Sequence, residues 1–210
     1  MEKISRKHRN LLLLLCIGCN ALLAQGKGGL ENYNFLSQGK DYVWMPVMHY
    51  QTPKGIYAEL RYNYEEMNTF SLFGGKTLTA GKEKSIAITP MLGFSAGDFS
   101  GASVAANTEI EFNKFFISSQ VQYSISFKKD MSNFFFSWSE LGYDIFPNLF
   151  AGLSFQYTML SEGNKFEPGF MAGVSFNNIS IPVYFFNPFQ KGRYIILGLN
   201  YEYHLKKKKK

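Results

Sequence analysis

Alternation with a period of two dominates this chain. From Leu149 to Met159, the residues Leu149, Ala151, Leu153, Phe155, Tyr157 and Met159 share one face of an extended backbone. Phe150, Gly152, Ser154, Gln156 and Thr158 share the other. Side chains of a strand point to opposite faces in turn, so this pattern predicts strand. No long segment after residue 25 keeps the i, i+3, i+4, i+7 spacing of a helix. Comparable stretches recur at about 56–65, 69–78, 85–95, 103–112, 115–127, 133–145, 169–176, 179–186 and 193–205, and residues 42–50 form a further strand with less regular alternation.

Two connections test the antiparallel reading. Asn tolerates positive φ, so Asn177-Asn178 suits a two-residue hairpin loop. That loop pairs Phe176 with Ile179, Val174 with Ile181, Ala172 with Val183 and Phe170 with Phe185, all apolar and on one face. Asn113-Lys114 likewise pairs Phe112 with Phe115, Ile110 with Ile117 and Ala106 with Val121, while Asn107 meets Gln120 and Glu109 meets Ser118. A slip of one residue would mix the faces in both hairpins. A three-residue turn at 146–148 would pair Ile145 with Leu149 and set Glu140 opposite Ser154.

The polar face decides which side is wet. A soluble barrel has an apolar interior and a charged exterior, and a membrane barrel reverses this. Here the polar face of 115–127 carries Ser118, Gln120, Gln122, Ser124 and Ser126, an uncharged lining. Charges gather in connections such as Lys128-Lys129-Asp130 and Lys82-Glu83-Lys84. Tyr62, Tyr64, Phe112, Phe115, Phe127, Phe170, Phe185, Tyr201 and Tyr203 stand near strand ends, as in the aromatic girdles of membrane interfaces. These features predict an all-β, antiparallel up-and-down transmembrane barrel with short loops. The alternative is a secreted, lipocalin-like barrel that binds an apolar ligand.

The first 24 residues have their own logic. Lys3, Arg6, Lys7 and Arg9 precede an apolar run from Leu11 to Leu23, and Ala24 is a small residue before Gln25. This reads as a secretory signal peptide, with a membrane anchor as the alternative. Both cysteines, Cys16 and Cys19, lie within it, so cleavage after Ala24 leaves no thiol for a disulfide or metal site. The run Cys16-Ile17-Gly18-Cys19 also resembles a bacterial lipobox, which implies lipid on Cys19 as a rival. The formal charge of +6 comes from the two ends: residues 25–205 hold 13 basic and 15 acidic side chains. A body without a basic stripe excludes nucleic acid as a partner.

With these features the chain resembles small bacterial outer-membrane β-barrel proteins over about residues 40–205, ending in the strand from Tyr194 to Leu205. The segments YAELRYNYEE (57–66) and SIAITPMLGF (85–94) are similar to narrow twelve-stranded sugar-acid channels. The resemblance implies residence in the bacterial outer membrane, with its lipid and its assembly machinery as partners. Both ends of such a barrel face the periplasm, so the strand number is even. Ten strands are clear besides 42–50. Within residues 25–40, either about 30–38 supplies a first strand, giving twelve staves as favoured here, or the segment stays apart and 42–50 also lies outside the sheet, leaving ten. The tight connections at 113–114, 146–148 and 177–178 belong to the periplasm, and the longer ones at 128–132, 160–168 and 187–192 to the exterior.

Catalytic chemistry is not legible. Only His49 and His204 remain after the leader, both near tight turns, and a hydrogen-bonded structural role suits them. No cysteine or calcium-loop spacing suggests a metal, and no cofactor is implied. Gly74-Gly75-Lys76-Thr77 lacks the earlier glycine and the helix of a phosphate loop. The inward face instead offers pore-lining candidates: Glu59, Arg61, Asn63, Asn107, Glu109, Glu111, Gln120, Gln122, Glu140, Gln156, Asn200 and Glu202. Such a lining selects small polar solutes by size and charge, or else forms a network that plugs the barrel. Ionised groups at membrane depth need partners, and Arg61 between Glu59 and Asn63 supplies one. A closed barrel with a structural or surface-interaction role is the second function compatible with this pattern. On the lipid face Leu153→Arg is expected to be costly, and Ser154→Arg, pointing inward, to be better tolerated. Residues 206–210 are five lysines, which repel one another and stay extended in water. Deleting them is expected to leave barrel assembly intact, as read by a heat-modifiable gel shift; loss of the folded band would contradict this.

Overall fold

In the computed structural model, residues 26–37, 42–81 and 85–205 are described. Among them are thirteen strand segments and no helix: β1 (Gly26–Ser37), β2 (Val43–Gln51), β3 (Ile56–Tyr62), β4 (Phe70–Lys76), β5 (Leu78–Ala80), β6 (Ile86–Ala96), β7 (Gly101–Phe112), β8 (Phe115–Ser126), β9 (Phe134–Phe146), β10 (Leu149–Leu160), β11 (Gly163–Phe176), β12 (Ile179–Phe186) and β13 (Tyr194–Leu205). Sequence neighbours pair with one another except β4 and β5, which both pair with β6, and β1 pairs with β13, so the sheet closes. Segments β4 and β5 share one register against β6: Phe70 meets Ala96, Gly75 meets Met91, and Leu78 meets Ile88. They are one stave interrupted at Thr77, whose N–H turns to the Gly55 carbonyl at 2.8 Å. The barrel therefore has twelve staves. The twelfth is the N-terminal segment, which supplies a first strand from Gly26 to Ser37.

Side-chain parity is uniform around the wall. One outward line runs through Leu36, Ile195, Phe185, Phe170, Leu153, Leu141, Ile117, Ile110 and Ile86, each the register partner of the next. Beside it, the inward line runs through Gly169, Ser154, Glu140, Ser118 and Glu109. The outer surface is apolar: Leu92, Phe94 and Val104 are all more than 60% exposed. Buried positions include Glu59, Arg61, Gln122, Ser154 and Glu167. A lipocalin-like barrel would show the reverse, so the exterior is built for lipid.

Both test hairpins carry the expected registers, with Asn113 and Asn177 at φ 54°. Three details differ. Leu149 pairs with Phe146, Phe150 with Asp144, and the intervening Ile145 is bulged out. A two-residue turn at 147–148 plus a bulge thus replaces the three-residue turn, and Glu140 still meets Ser154. Residues 160–168 are not a loop: β10 and β11 continue to a two-residue connection at 161–162, with Lys165 and Glu167 in strand. Their charge broke the apolar alternation because the inward Glu167 finds polar partners and Lys165 is solvent-exposed. Phe170 consequently lies mid-strand rather than at a girdle, and Tyr64 folds inside.

Tight turns at 113–114, 147–148 and 177–178 share one end with Gly26 and Leu205; connections of two to seven residues lie at the other. The parity generates a direct test. Leu153→Arg puts a charge among lipid tails and is expected to cost ~2–4 kcal/mol in urea titration of barrels refolded into lipid. Ser118→Arg points inward beside Glu140 and is expected to cost far less. Equal losses would contradict the face assignment.

Candidate functional site

The lumen holds two cavities. The lower one, toward the tight turns, has a volume of about 160 Å³, and Glu31, His49, Glu59, Arg61, Asn107, Glu109, Gln120, Glu140 and Glu202 are in its wall. The upper one, toward the longer loops, has about 530 Å³ and is bordered by Glu65, Glu66, Gln122, Asp130, Thr158 and Glu162. Tyr64 borders both.

Tyr64 stands at the boundary because the 63–69 connection folds inward. Asn63 and Asn68 take positive φ (57° and 50°), the Asn63 carboxamide receives the Asn68 N–H at 2.8 Å, and its own N–H donates to the Trp44 carbonyl at 3.0 Å. These contacts turn the chain so that Tyr64 and Glu65 point to the barrel axis. The Tyr64 hydroxyl donates to Gln120 across the lumen, and its ring meets Phe136 edge-on at 5.9 Å. Glu65 accepts from Ser71 and from Arg61 Nη1 at 3.2 Å.

Arg61 is the hub. It is 1% exposed; Nε donates to Glu59, and Nη1 donates to Gln122 at 2.8 Å. Its guanidinium carbon lies 4.1 Å from the Phe73 ring centre and 4.7 Å from that of Tyr64. Phe73 has room to reach inward because Gly93 faces it: a Cβ there would sit 2.4 Å from the ring. Glu59 also accepts from Tyr57 at 2.5 Å and from Asn107 at 3.5 Å. Arg61 Nη2 has no acceptor among the described residues.

The opposite wall is aromatic. Trp138, Tyr184, Phe186 and Tyr194 form a buried cluster with Met171 and Ile196, and Tyr33, Phe35, Phe116 and Phe136 pack on it. Tyr33 and Tyr184 approach the Trp138 ring at 5.3 and 5.1 Å. Trp138 Nε1 donates to Ser154 Oγ at 2.9 Å. Ser154 is fully covered, so Ser154→Arg would have to displace this ring. The tolerance expected for that substitution is corrected accordingly.

The residues read from the sequence divide into groups. Glu59, Arg61, Asn107, Glu109, Gln120, Glu140 and Glu202 border the lower cavity, and Gln122 the upper. Gln156 receives the Tyr194 hydroxyl at 3.1 Å, part of the aromatic wall. Asn200 borders a separate recess of about 270 Å³ near the 177–178 turn, and Glu111 is exposed near the 113–114 turn. Asn63 shapes its connection and gives Arg61 no partner. Sequence reading missed Glu31 and Tyr33, hidden in a stave it left open, and Tyr64 and Glu65, which it placed at a strand end. His49 lies 3.3 Å from Glu31 and stacks on Tyr57 at 6.0 Å. Among the described residues no three His, Cys, Asp or Glu side chains converge as metal ligands.

Comparison with known proteins concerns the fold. No protein-family model matches the chain, and no curated protein matches it. Solved structures do. The KdgM porin superposes with a TM-score of 0.64 at 9% identity, covering 84% of this chain and 99% of that one. The NanC porin gives 0.59 at 7% identity over 83% and 98%. An outer-membrane channel from Pseudomonas putida F1 gives 0.50 at 8% identity over 85% and 96%. The chain shares the fold of these porins. At such identities no residue role transfers, and the lumen has to be read from its own side chains.

Arg61→Met tests the hub. It leaves Glu59 and Glu65 buried without their cation, and such a loss costs about 3–5 kcal/mol. Adding Glu59→Gln and Glu65→Gln is expected to recover most of it in urea titration. A single variant as stable as the parent would show that Arg61 carries no such load.

Proposed function

We propose that the protein is a narrow bacterial outer-membrane channel for passive passage of small polar solutes. The observation that carries this is the combination of an apolar outer wall with two carboxylate-bordered cavities inside, separated by one inward-folded segment. A barrel serving only as a wall needs no vestibule at each end. The fold shared with porins supports the location and the class of function. By the same likeness the tight-turn end faces the periplasm and the longer connections face outward. One neighbouring structure is the KdgM porin in complex with disordered oligogalacturonate. Passage of small polar solutes is what we carry over, not that polyanion, because carboxylates dominate this lumen.

Tyr64, with Glu65 behind it, is the proposed constriction. Its bond to Gln120 bridges the lumen, and its ring against Phe136 fills the space between the Arg61 hub and the aromatic wall. The same septum favours the second reading, a closed structural barrel, if Tyr64 never yields. No step of either reading calls for catalysis.

Planar-bilayer recording separates them. The parent is expected to show small unitary currents, and Tyr64→Ala, which joins the vestibules, a several-fold larger conductance. Silence from both proteins, with folded barrels confirmed by gel shift, would favour the closed barrel.

A further inference from the structure

We infer that this lumen selects small cations, and in particular amines that also carry hydroxyl or carbonyl oxygens; the inference rests on the channel reading above. Both vestibules are acidic, and they are so independently. The upper one is bordered by Glu65, Glu66, Asp130 and Glu162, with no Lys or Arg among the described residues of its wall. The lower one has Glu31, Glu59, Glu109, Glu140 and Glu202 against Lys27 and Arg61. A solute crossing from either side meets carboxylates before and after the septum.

The basic groups do not cancel this field. Arg61 is covered by Glu59, Glu65 and two aromatic rings, so its charge is spent on its neighbours. Lys128, at the loop end, is held by the carbonyl oxygens of Gly97 and Asp98 at 2.7 Å each, outside the wall of the upper cavity. Lys165 pairs with Glu167 at 2.8 Å. His49 is set against Glu31. Lys27 is exposed and has Glu109, Glu202 and Glu31 with it around the same cavity. Carboxylates in a low-dielectric tube focus a negative potential along it, the arrangement that rings of Asp and Glu give cation channels.

Arg61 adds a second, chemically distinct requirement. Arg61 borders the lower cavity, and its buried Nη2 has no acceptor among the described residues. A donor without a partner is costly, so an oxygen of a passing solute gains by meeting it. Glu59 and Glu65 on either side keep the locality negative, so a carboxylate gains less there than a hydroxyl or carbonyl. A positive amine facing Glu109 or Glu202, with an oxygen toward Arg61, satisfies both.

Two measurements on the refolded barrel test this. Under a KCl gradient at low ionic strength, the reversal potential is expected to report a several-fold preference for K⁺ over Cl⁻. The exposed pair Glu66→Gln and Glu162→Gln, outside the Arg61 hub, is expected to reduce that preference while the gel shift is retained. In liposome swelling with sugars of similar size, glucosamine is expected to enter faster than glucose, and glucose faster than gluconate. Chloride preference, or equal entry of all three sugars, would overturn the inference and leave the channel intact. Liposomes that admit none of them would overturn the channel reading and the inference together.

Discussion

The pairing of β4 with β6 closes the ladder, and the rest of the barrel depends on that closure. Hydrocarbon offers no hydrogen bonds, so an open sheet edge at membrane depth would leave a row of bare N–H and C=O groups. Once β1 has met β13 and β4 has met β6, no edge is left among the described staves. Closure also fixes the faces. A strand in a closed ladder cannot slip by one residue without turning its apolar set inward, so Leu153 and Ser154 are committed to opposite surroundings.

The inside then becomes the costly region, because polar groups enclosed by an apolar wall must satisfy one another. The chain divides the task. Around Arg61 the solution is ionic, with two carboxylates, one carboxamide and two aromatic rings around a single guanidinium. Around Trp138 it is packing, with tyrosine hydroxyls and an indole N–H finding side-chain oxygens such as Gln156 and Ser154. Tyr64 joins the halves by contributing a ring to one and a hydroxyl to the other. That bridge divides the lumen into two vestibules, and the carboxylates left over in each give it a sign.

Sequence reading reached the architecture because period two is a local signal that closure does not alter. The registers of the 113–114 and 177–178 hairpins could be written down in advance, since a slip would mix apolar with polar residues. The same logic failed where charge interrupts the alternation: Lys165 and Glu167 look like loop residues, yet they extend β11 toward the 161–162 connection, Lys165 in solvent and Glu167 buried against Asn187. The bulge at Ile145 was invisible because a two-residue turn plus one bulged residue sets Glu140 opposite Ser154, just as a three-residue turn does. Parity alone put Glu59, Arg61, Asn107 and Gln120 inside. It could not show that Arg61 binds Glu65 rather than Asn63, because that needs the 63–69 connection to fold inward. The signal peptide expected at 1–24, the rival lipidation at Cys19 and the lysines at 206–210 lie outside the described residues.

The central claim is that alternate residues of each stave face lipid and an aqueous lumen. The two cysteines of the chain, Cys16 and Cys19, both precede Gly26, so a barrel beginning there accepts single cysteines freely. Spin labels placed one at a time along Leu149–Leu160 in liposomes, read for collision with oxygen and with a water-soluble nickel chelate, measure the facing directly. The account predicts strict alternation, with Ala151, Leu153, Phe155 and Tyr157 reached by oxygen and Gly152 and Thr158 by the chelate or shielded from both. Labels reached by the chelate at Leu153 and Phe155, or a repeat of three to four residues, would contradict it.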